Sequence, residues 1–190
     1  TLVRLDDSGT TLETVAVPGQ GLSVAAAGED VVVGTSTSRS APFAPGPGSA
    51  TLTALDGRTT FGAVARYGPV GGGVQWARTI EDLGGASVAS VAVDSAGTIY
   101  AGGRSRAGVR FGVGGPSLAT RGSSDGYVAA WTSSGTPVWA RGIGGWGDDV
   151  VSRLAAVPGG GVAVTGSFTG TPDAALRIDR GAAEAQWLFP

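Results

Sequence analysis

Few residues in this chain of 190 can carry out acid–base or nucleophilic chemistry. The sequence contains no His and no Cys. Ser-His-Asp and Cys-His nucleophilic sites are therefore excluded, as is zinc bound by imidazole or thiolate. Glycosidase chemistry would require two carboxylates about 5–10 Å apart, a distance that a sequence does not specify. We predict that the protein is not an enzyme and that it has no catalytic residue and no cofactor.

Two adjacent carboxylates, Asp148 and Asp149, end the turn "GGWGDD". Clustered carboxylate oxygens are the ligands that Ca²⁺ prefers, which makes the pair a candidate cation site. The alternative is that these side chains cap backbone amides of the turn. We favour capping, because the two residues stand alone and the corresponding turn at Gly84-Gly85 lacks them. The same interpretation applies to Asp94 and Asp6, and we predict no metal site.

Arg104, Arg106 and Arg110 lie close together on a predicted loop, with Arg121 nearby. Guanidinium groups in such a cluster can bind phosphate, sulfate or a carboxylate. The alternative is an ordinary solvated loop. Trp146, in the glycine-rich turn, is predicted to be an exposed aromatic contact. Trp146 and the first three arginines are the candidate contacts with a partner.

Composition limits the class of partner. The net charge is −2, and hydrophobic residues make up 42% of the chain against 15% charged residues. The balance indicates a folded domain without a basic surface for nucleic acid. No apolar run is long enough to span a membrane. The 35 glycines lack the collagen period and therefore indicate turns.

Three tryptophans mark an internal repeat, in "VQWARTI", "PVWARGI" and "AQWLFP". Trp76 and Trp139 are separated by about 63 residues, and a shorter interval leads to Trp187. One period before Trp76, Glu13 takes the tryptophan's place. Periodic aromatic residues are typical of a core, so we expect these tryptophans to pack between repeat units, as do Trp131 and Tyr67. Sugar stacking is the alternative.

Each repeat consists of short strands joined by tight turns. The turns are predicted at Ser8-Gly9, Ser95–Gly97 and Ser134-Gly135, where a small polar residue precedes a glycine. No window shows helical periodicity. Four short antiparallel strands per repeat predict an all-β fold made of β-propeller blades. A solenoid of sheets is the main alternative, and a β-sandwich is less favoured.

The stretches "WARGIGGWGDDVVSRLAAVPGGGVAVTGSF" and "VRFGVGGPSLATRGSSDGYVAAWTSSGTPVWAR" resemble the SBBP repeats of bacterial seven-bladed propellers, which are common in myxobacteria. The resemblance covers nearly the whole chain and is clearest from Trp76 to Phe168. It departs at Glu13 and in "EDLGGAS", where Gly-Asp-Asp would stand. It implies a propeller in a secreted or cell-surface setting, and it implies little about function.

The repeat divides the chain into a half blade (1–17), two blades (18–80 and 81–143) and a shortened blade (144–190). A partial propeller of about three and a half blades cannot close, whereas closed rings have four to eight. We therefore expect further blades or a protein partner to complete a larger ring.

Two functions remain open. The first, which we favour, is a non-enzymatic secreted or cell-surface scaffold for protein interaction. The second is a carbohydrate-binding propeller. A repeated glycan site would need similar loops in every blade, and "EDLGGAS" differs from "GGWGDDV".

Overall fold

The described part of the chain is built from β-strands and the turns between them. A computed structural model describes residues 1–54, 60–112, 114–169, 177–179 and 185–187. None of these residues is helical, in keeping with the Gly, Val and Thr residues that interrupt each candidate helical face. The predicted all-β class is confirmed.

Most strands are short. They are β1 (Leu2–Leu5), β2 (Thr11–Val15), β3 (Gln20–Ala27), β4 (Asp30–Ser38), β5 (Ser40–Phe43), β6 (Ala50–Thr53), β7 (Thr60–Tyr67), β8 (Val74–Asp82), β9 (Ser87–Val93), β10 (Ile99–Ser105), β11 (Val109–Phe111), β12 (Ser117–Leu118), β13 (Asp125–Trp131), β14 (Pro137–Gly144), β15 (Val150–Ala156), β16 (Val162–Ser167), β17 (Arg177–Asp179) and β18 (Ala185–Trp187).

Two sheets have six strands each. The first consists of the antiparallel meander β3-β4-β7-β8 and the hairpin β11–β12, and the second of the meander β9-β10-β13-β14 and the hairpin β17–β18. The pairs β1–β2, β5–β6 and β15–β16 form separate two-stranded sheets. No sheet closes on itself within the described ranges. The structure therefore establishes antiparallel sheets, while the propeller blades and their boundaries stay a prediction.

The hairpin β11–β12 joins the two meanders. It leaves the second meander between β10 and β13 and pairs with β8, the last strand of the first meander. In this pairing Val109 lies opposite Asp82 and Phe111 lies opposite Ile80. The hairpin is thus hydrogen-bonded to the first meander and joined to the second through the chain on either side of it.

The described strands of the last repeat belong to two different sheets. Within the described residues, β15 pairs with β16 alone. The hairpin β17–β18 pairs with β14 instead, with Ile143 opposite Ile178. Hairpin β17–β18 is therefore placed beside β14 in the same way that hairpin β11–β12 is placed beside β8. The last repeat therefore supplies this hairpin after β16, just as the repeat before it supplies β11–β12 after β10.

The three predicted hairpin turns are confirmed. The amide of Gly97 donates to the carbonyl of Asp94 at 3.0 Å, and Gly9 and Gly135 make the same bond in their own turns. All three glycines have φ near +80°, a conformation that costs glycine little. The Asp94 carboxylate accepts the amides of Ala96 and Thr98 at 2.9 Å each, which confirms the capping role predicted for this side chain.

Neighbouring sheets approach closely at two glycines. A methyl group on Gly34 of β4 would lie 2.6 Å from the Val88 side chain, and one on Gly102 of β10 would lie 2.7 Å from Val151. Strand β9 therefore packs directly on the first meander, and β15 packs on the second. Trp131 and Tyr67 are fully buried in this core, as predicted.

Candidate functional site

Two of the predicted contact residues, Trp146 and Arg106, lie in loops at one end of the strands. We call this end the loop face; it comprises residues 83–86, 106–108, 119–124 and 145–149. Backbone contacts join its loops, because a methyl group on Gly122 would lie 2.2 Å from the carbonyl oxygen of Gly147. Ser124 and Asp148 also form an isolated parallel bridge. The four loops form one continuous surface.

Asp149 anchors the loop that carries Trp146. Its side chain is buried, and it accepts the amides of Gly145 and Thr169 at 2.7 Å each. The prediction that this carboxylate caps backbone amides is confirmed. Within the described ranges, no group of three or more His, Cys, Asp or Glu side chains is placed to hold a metal ion.

Asp148 differs from its neighbour. It is exposed, and it accepts the hydroxyl groups of Ser123 and Ser124 at 2.6 and 3.0 Å rather than backbone amides. The prediction of amide capping is therefore wrong for this side chain. The two hydroxyls, followed by the charges of Arg104 and Arg106, hold the pKa of Asp148 below its ordinary value. The carboxylate links the β12–β13 loop to the β14–β15 loop.

Trp146 projects into solvent from an anchored loop. Its side chain is 77% exposed, whereas Trp76 is 7% exposed and Trp131 is fully buried. Trp139 is half-buried. The predicted contrast between an exposed turn tryptophan and buried repeat tryptophans is confirmed for Trp146 and Trp76. The side chain of Trp187 lies outside the described part of the chain.

The arginine cluster divides into two parts. Arg104 lies within β10, one residue before its end, and Arg110 lies in β11, so the prediction that they share one loop is wrong. Arg110 approaches Glu81 at 3.4 Å, because β11 pairs with β8. Arg121 is exposed, and its backbone amide donates to Asp125.

Arg104 and Arg106 remain together and line a cavity of about 300 Å³. The other walls are Thr60 and the loop residues Gly84, Gly85, Ala86 and Ser87. Within the described residues, neither guanidinium forms an ion pair with a carboxylate. The geometry suits an acidic group at the surface.

Asp82 is a site residue that the sequence analysis missed. It is buried, and its carboxylate accepts the amides of Gly84, Arg106 and Ala107. It therefore anchors the bend after β10 much as Asp149 anchors Thr169 after β16. In the sequence, this role could have been inferred from the acidic pair Glu81-Asp82, which lies just ahead of the turn glycines Gly84-Gly85. Next to it, Leu83 is 64% exposed and adds an apolar group to the loop face.

Another buried carboxylate, Asp125, lies beside Asp149. Burial raises its pKa, and the nearby charge of Asp149 adds to the shift. Its Oδ2 accepts the Arg121 amide at 2.8 Å, while Oδ1 has no hydrogen-bond partner among the described residues. A methyl group on Gly144 would lie 2.6 Å from Asp125 Oδ1 and 2.9 Å from Asp149 Oδ2. Glycine is therefore required where the two carboxylates converge.

At the opposite end of the strands, Trp76 and Arg78 form what we call the Trp–Arg clamp. Trp76 Nε1 donates to the carbonyl of Ser133 at 2.9 Å, and Arg78 Nε donates to that of Gly135 at 2.8 Å. The guanidinium lies 5.6 Å from the indole ring. The clamp fastens the last strand of the first meander to the β13–β14 turn of the second, as predicted for a repeat tryptophan.

Comparison with known proteins leaves the family open. The chain matches no protein-family model, and a search of curated proteins gives no match. The resemblance to SBBP repeats therefore stays a prediction. No helix suited to crossing a membrane occurs among the residues that the structure describes.

Proposed function

We propose that the protein is a non-enzymatic protein-interaction scaffold of the β-propeller type, secreted or displayed at the cell surface. Its binding surface is the loop face. The observation that carries the proposal is Trp146, an indole 77% exposed on a loop anchored by the buried Asp149. Large exposed aromatic groups are uncommon on soluble proteins and are enriched at interaction sites.

The propeller form is supported by the sheets and their packing. Two consecutive four-stranded antiparallel meanders repeat the same strand order, and the first strands of successive repeats, β3, β9 and β15, pack one after another. Stacking of such meanders around an axis is the blade arrangement of propellers. Hairpin β11–β12 stiffens the stack and holds the loops in fixed positions.

An anchored tryptophan is well suited to binding a protein. Trp and Arg dominate the binding energy of protein interfaces. Because amides held by Asp149 and Asp82 fix the loops, little conformational entropy is lost on binding. The guanidinium groups of Arg104 and Arg106, which form no ion pair within the described part of the chain, favour a partner with an acidic segment. Leu83 adds apolar contact area.

Selection of random peptides by phage display on the purified chain tests this proposal. We expect enriched peptides that combine acidic and apolar residues and that bind Trp146→Ala at least about tenfold more weakly. Val157→Ser is the matched control, because Val157 is 40% exposed but lies in the β15–β16 turn, away from the loop face. Peptides that bind Trp146→Ala as well as the wild type would refute the assigned surface. Binding to a glycan array that requires Trp146 would favour the carbohydrate-binding alternative.

A further inference from the structure

The Trp–Arg clamp has a second copy one repeat later, formed by Trp139 and Arg141. The Arg141 guanidinium lies 5.5 Å from the Trp139 ring, against 5.6 Å in the first clamp. Arg141 Nη1 donates to the carbonyl of Ala140 at 2.7 Å, and Arg78 makes the equivalent bond to Ala77 at 2.9 Å. The second clamp therefore has the conformation of the first.

The second clamp holds no turn among the described residues. Trp76 is 7% exposed because the β13–β14 turn covers it, whereas Trp139 is only half-buried. Within the described ranges, Trp139 Nε1 and Arg141 Nε make no hydrogen bond, although the equivalent atoms of the first clamp each donate to a turn carbonyl. The other part of the indole packs beside Tyr100, with 6.0 Å between the ring centroids. The two donors and the exposed part of the indole are thus available for another turn.

The chain contains a turn of the required shape that no described residue clamps. In the β1–β2 turn, Asp6 N donates to Thr10 O at 2.9 Å and Gly9 N donates to Asp6 O at 3.1 Å. The clamped turn has the same two bonds, both at 2.9 Å. Gly9 has φ of 83° and Gly135 has φ of 81°.

The surroundings of these two glycines differ. A methyl group on Gly135 would lie 2.7 Å from the Trp76 ring, which shows how closely the indole covers the turn. A methyl group on Gly9 would meet no described atom within 4 Å. The Gly9 turn is therefore open to an indole, and it carries the carboxylates of Asp6 and Asp7, which complement the charge of Arg141.

We propose that two copies of this chain associate head to tail, with the Trp139–Arg141 clamp of one protomer closing on the Asp6–Thr10 turn of its partner. By equivalence with the first clamp, the indole N–H donates to the carbonyl of Asp7, and Arg141 Nε donates to that of Gly9. The interface is heterologous, since each protomer contributes a different surface to it. Such contacts form a closed ring or a longer chain.

Sedimentation velocity over a range of concentrations tests the association. The wild type should form dimers or larger species, and Trp139→Ala and Gly9→Ala should each weaken association at least about tenfold. Gly28→Ala is the matched control for Gly9→Ala. Gly28 also occupies a hairpin turn with positive φ (69°) and open surroundings, so its substitution imposes similar backbone strain outside the interface.

Mixing the two variants tests the head-to-tail geometry. Trp139→Ala retains an intact turn and Gly9→Ala retains an intact clamp, so the mixture should associate more tightly than either variant alone. A wild-type chain that stays an 18.6 kDa monomer would overturn the proposal. Association that neither substitution weakens, or variants that do not complement each other, would also overturn it. Peptide binding at the loop face does not involve this interface and is unaffected by either result.

Discussion

Replacement of Trp76 by alanine should strongly destabilise the fold. The side chain is 7% exposed and packs on the β13–β14 turn. Truncation of a buried tryptophan to alanine typically costs about 3–5 kcal/mol, including the cavity left behind. The Ser133 carbonyl also accepts Arg66 Nη1 at 2.7 Å. Loss of the indole N–H therefore leaves no unpaired carbonyl and adds about 1 kcal/mol or less.

Urea denaturation followed by far-ultraviolet circular dichroism measures this loss. We expect a free energy of unfolding lower by about 3–5 kcal/mol, which at this chain length lowers Tm by about 6–20 °C. Trp146→Ala is the matched substitution, because the Trp146 side chain is 77% exposed and its removal should change stability by less than about 0.5 kcal/mol. Equal midpoints for the two variants, or a larger loss for Trp146→Ala, would refute the assignment of Trp76 as a clamp between repeat units.

Three further substitutions separate the contributions of turns and buried carboxylates. Gly135→Ala should lower Tm more than Gly159→Ala in thermal melts, because both residues have positive φ but only the first would place its methyl group against an indole; equal losses would contradict this contact. Asp149→Ala should cost about 2–3 kcal/mol in urea denaturation, since the buried amide of Gly145 and the partly buried amide of Thr169 lose their acceptor. Amide hydrogen exchange at Gly145 should accelerate at the same time, and unchanged exchange would argue against the anchor. Asp125→Asn should stabilise the protein at pH 7 by removing a buried charge. Because the folded-state pKa of Asp125 is raised, the wild type regains this stability as the pH falls through that pKa, so the advantage of the variant should shrink in acid; a constant difference across pH would contradict the shift.

Local chemistry explains which features were predictable. The turns at Gly9, Gly97 and Gly135 follow from short-range signals, namely a glycine at positive φ and a side chain that accepts nearby amides. The burial of Trp76 and the exposure of Trp146 follow from comparing repeats, since a tryptophan that recurs at one position is structural and a tryptophan found in one turn only is free of that constraint.

Long-range pairing explains what was missed. Arg110 contacts Glu81 because β11 leaves its own meander to pair with β8, a pairing that no local pattern specifies. Asp82 takes the role of Asp149 from a different repeat position, because the β8–β9 loop has another length. When the repeats are aligned, the position of Asp149 has no carboxylate in the earlier repeat. The structure shows that Asp82, at a different position in that repeat, has the same role.

Because hairpin β11–β12 lies far along the chain but pairs with the first meander, the first sheet can be completed only late in synthesis. When the ribosome has completed β8, the edge of the first sheet has no neighbour until Val109–Leu118 has emerged. At about 5–20 residues per second, this interval lasts about 2–7 s. During that time the nascent chain carries an open strand that can pair with any other extended segment. A truncated product ending before Val109 would keep this edge permanently, so premature termination there should yield an aggregating fragment, whereas termination after Leu118 leaves the first sheet complete.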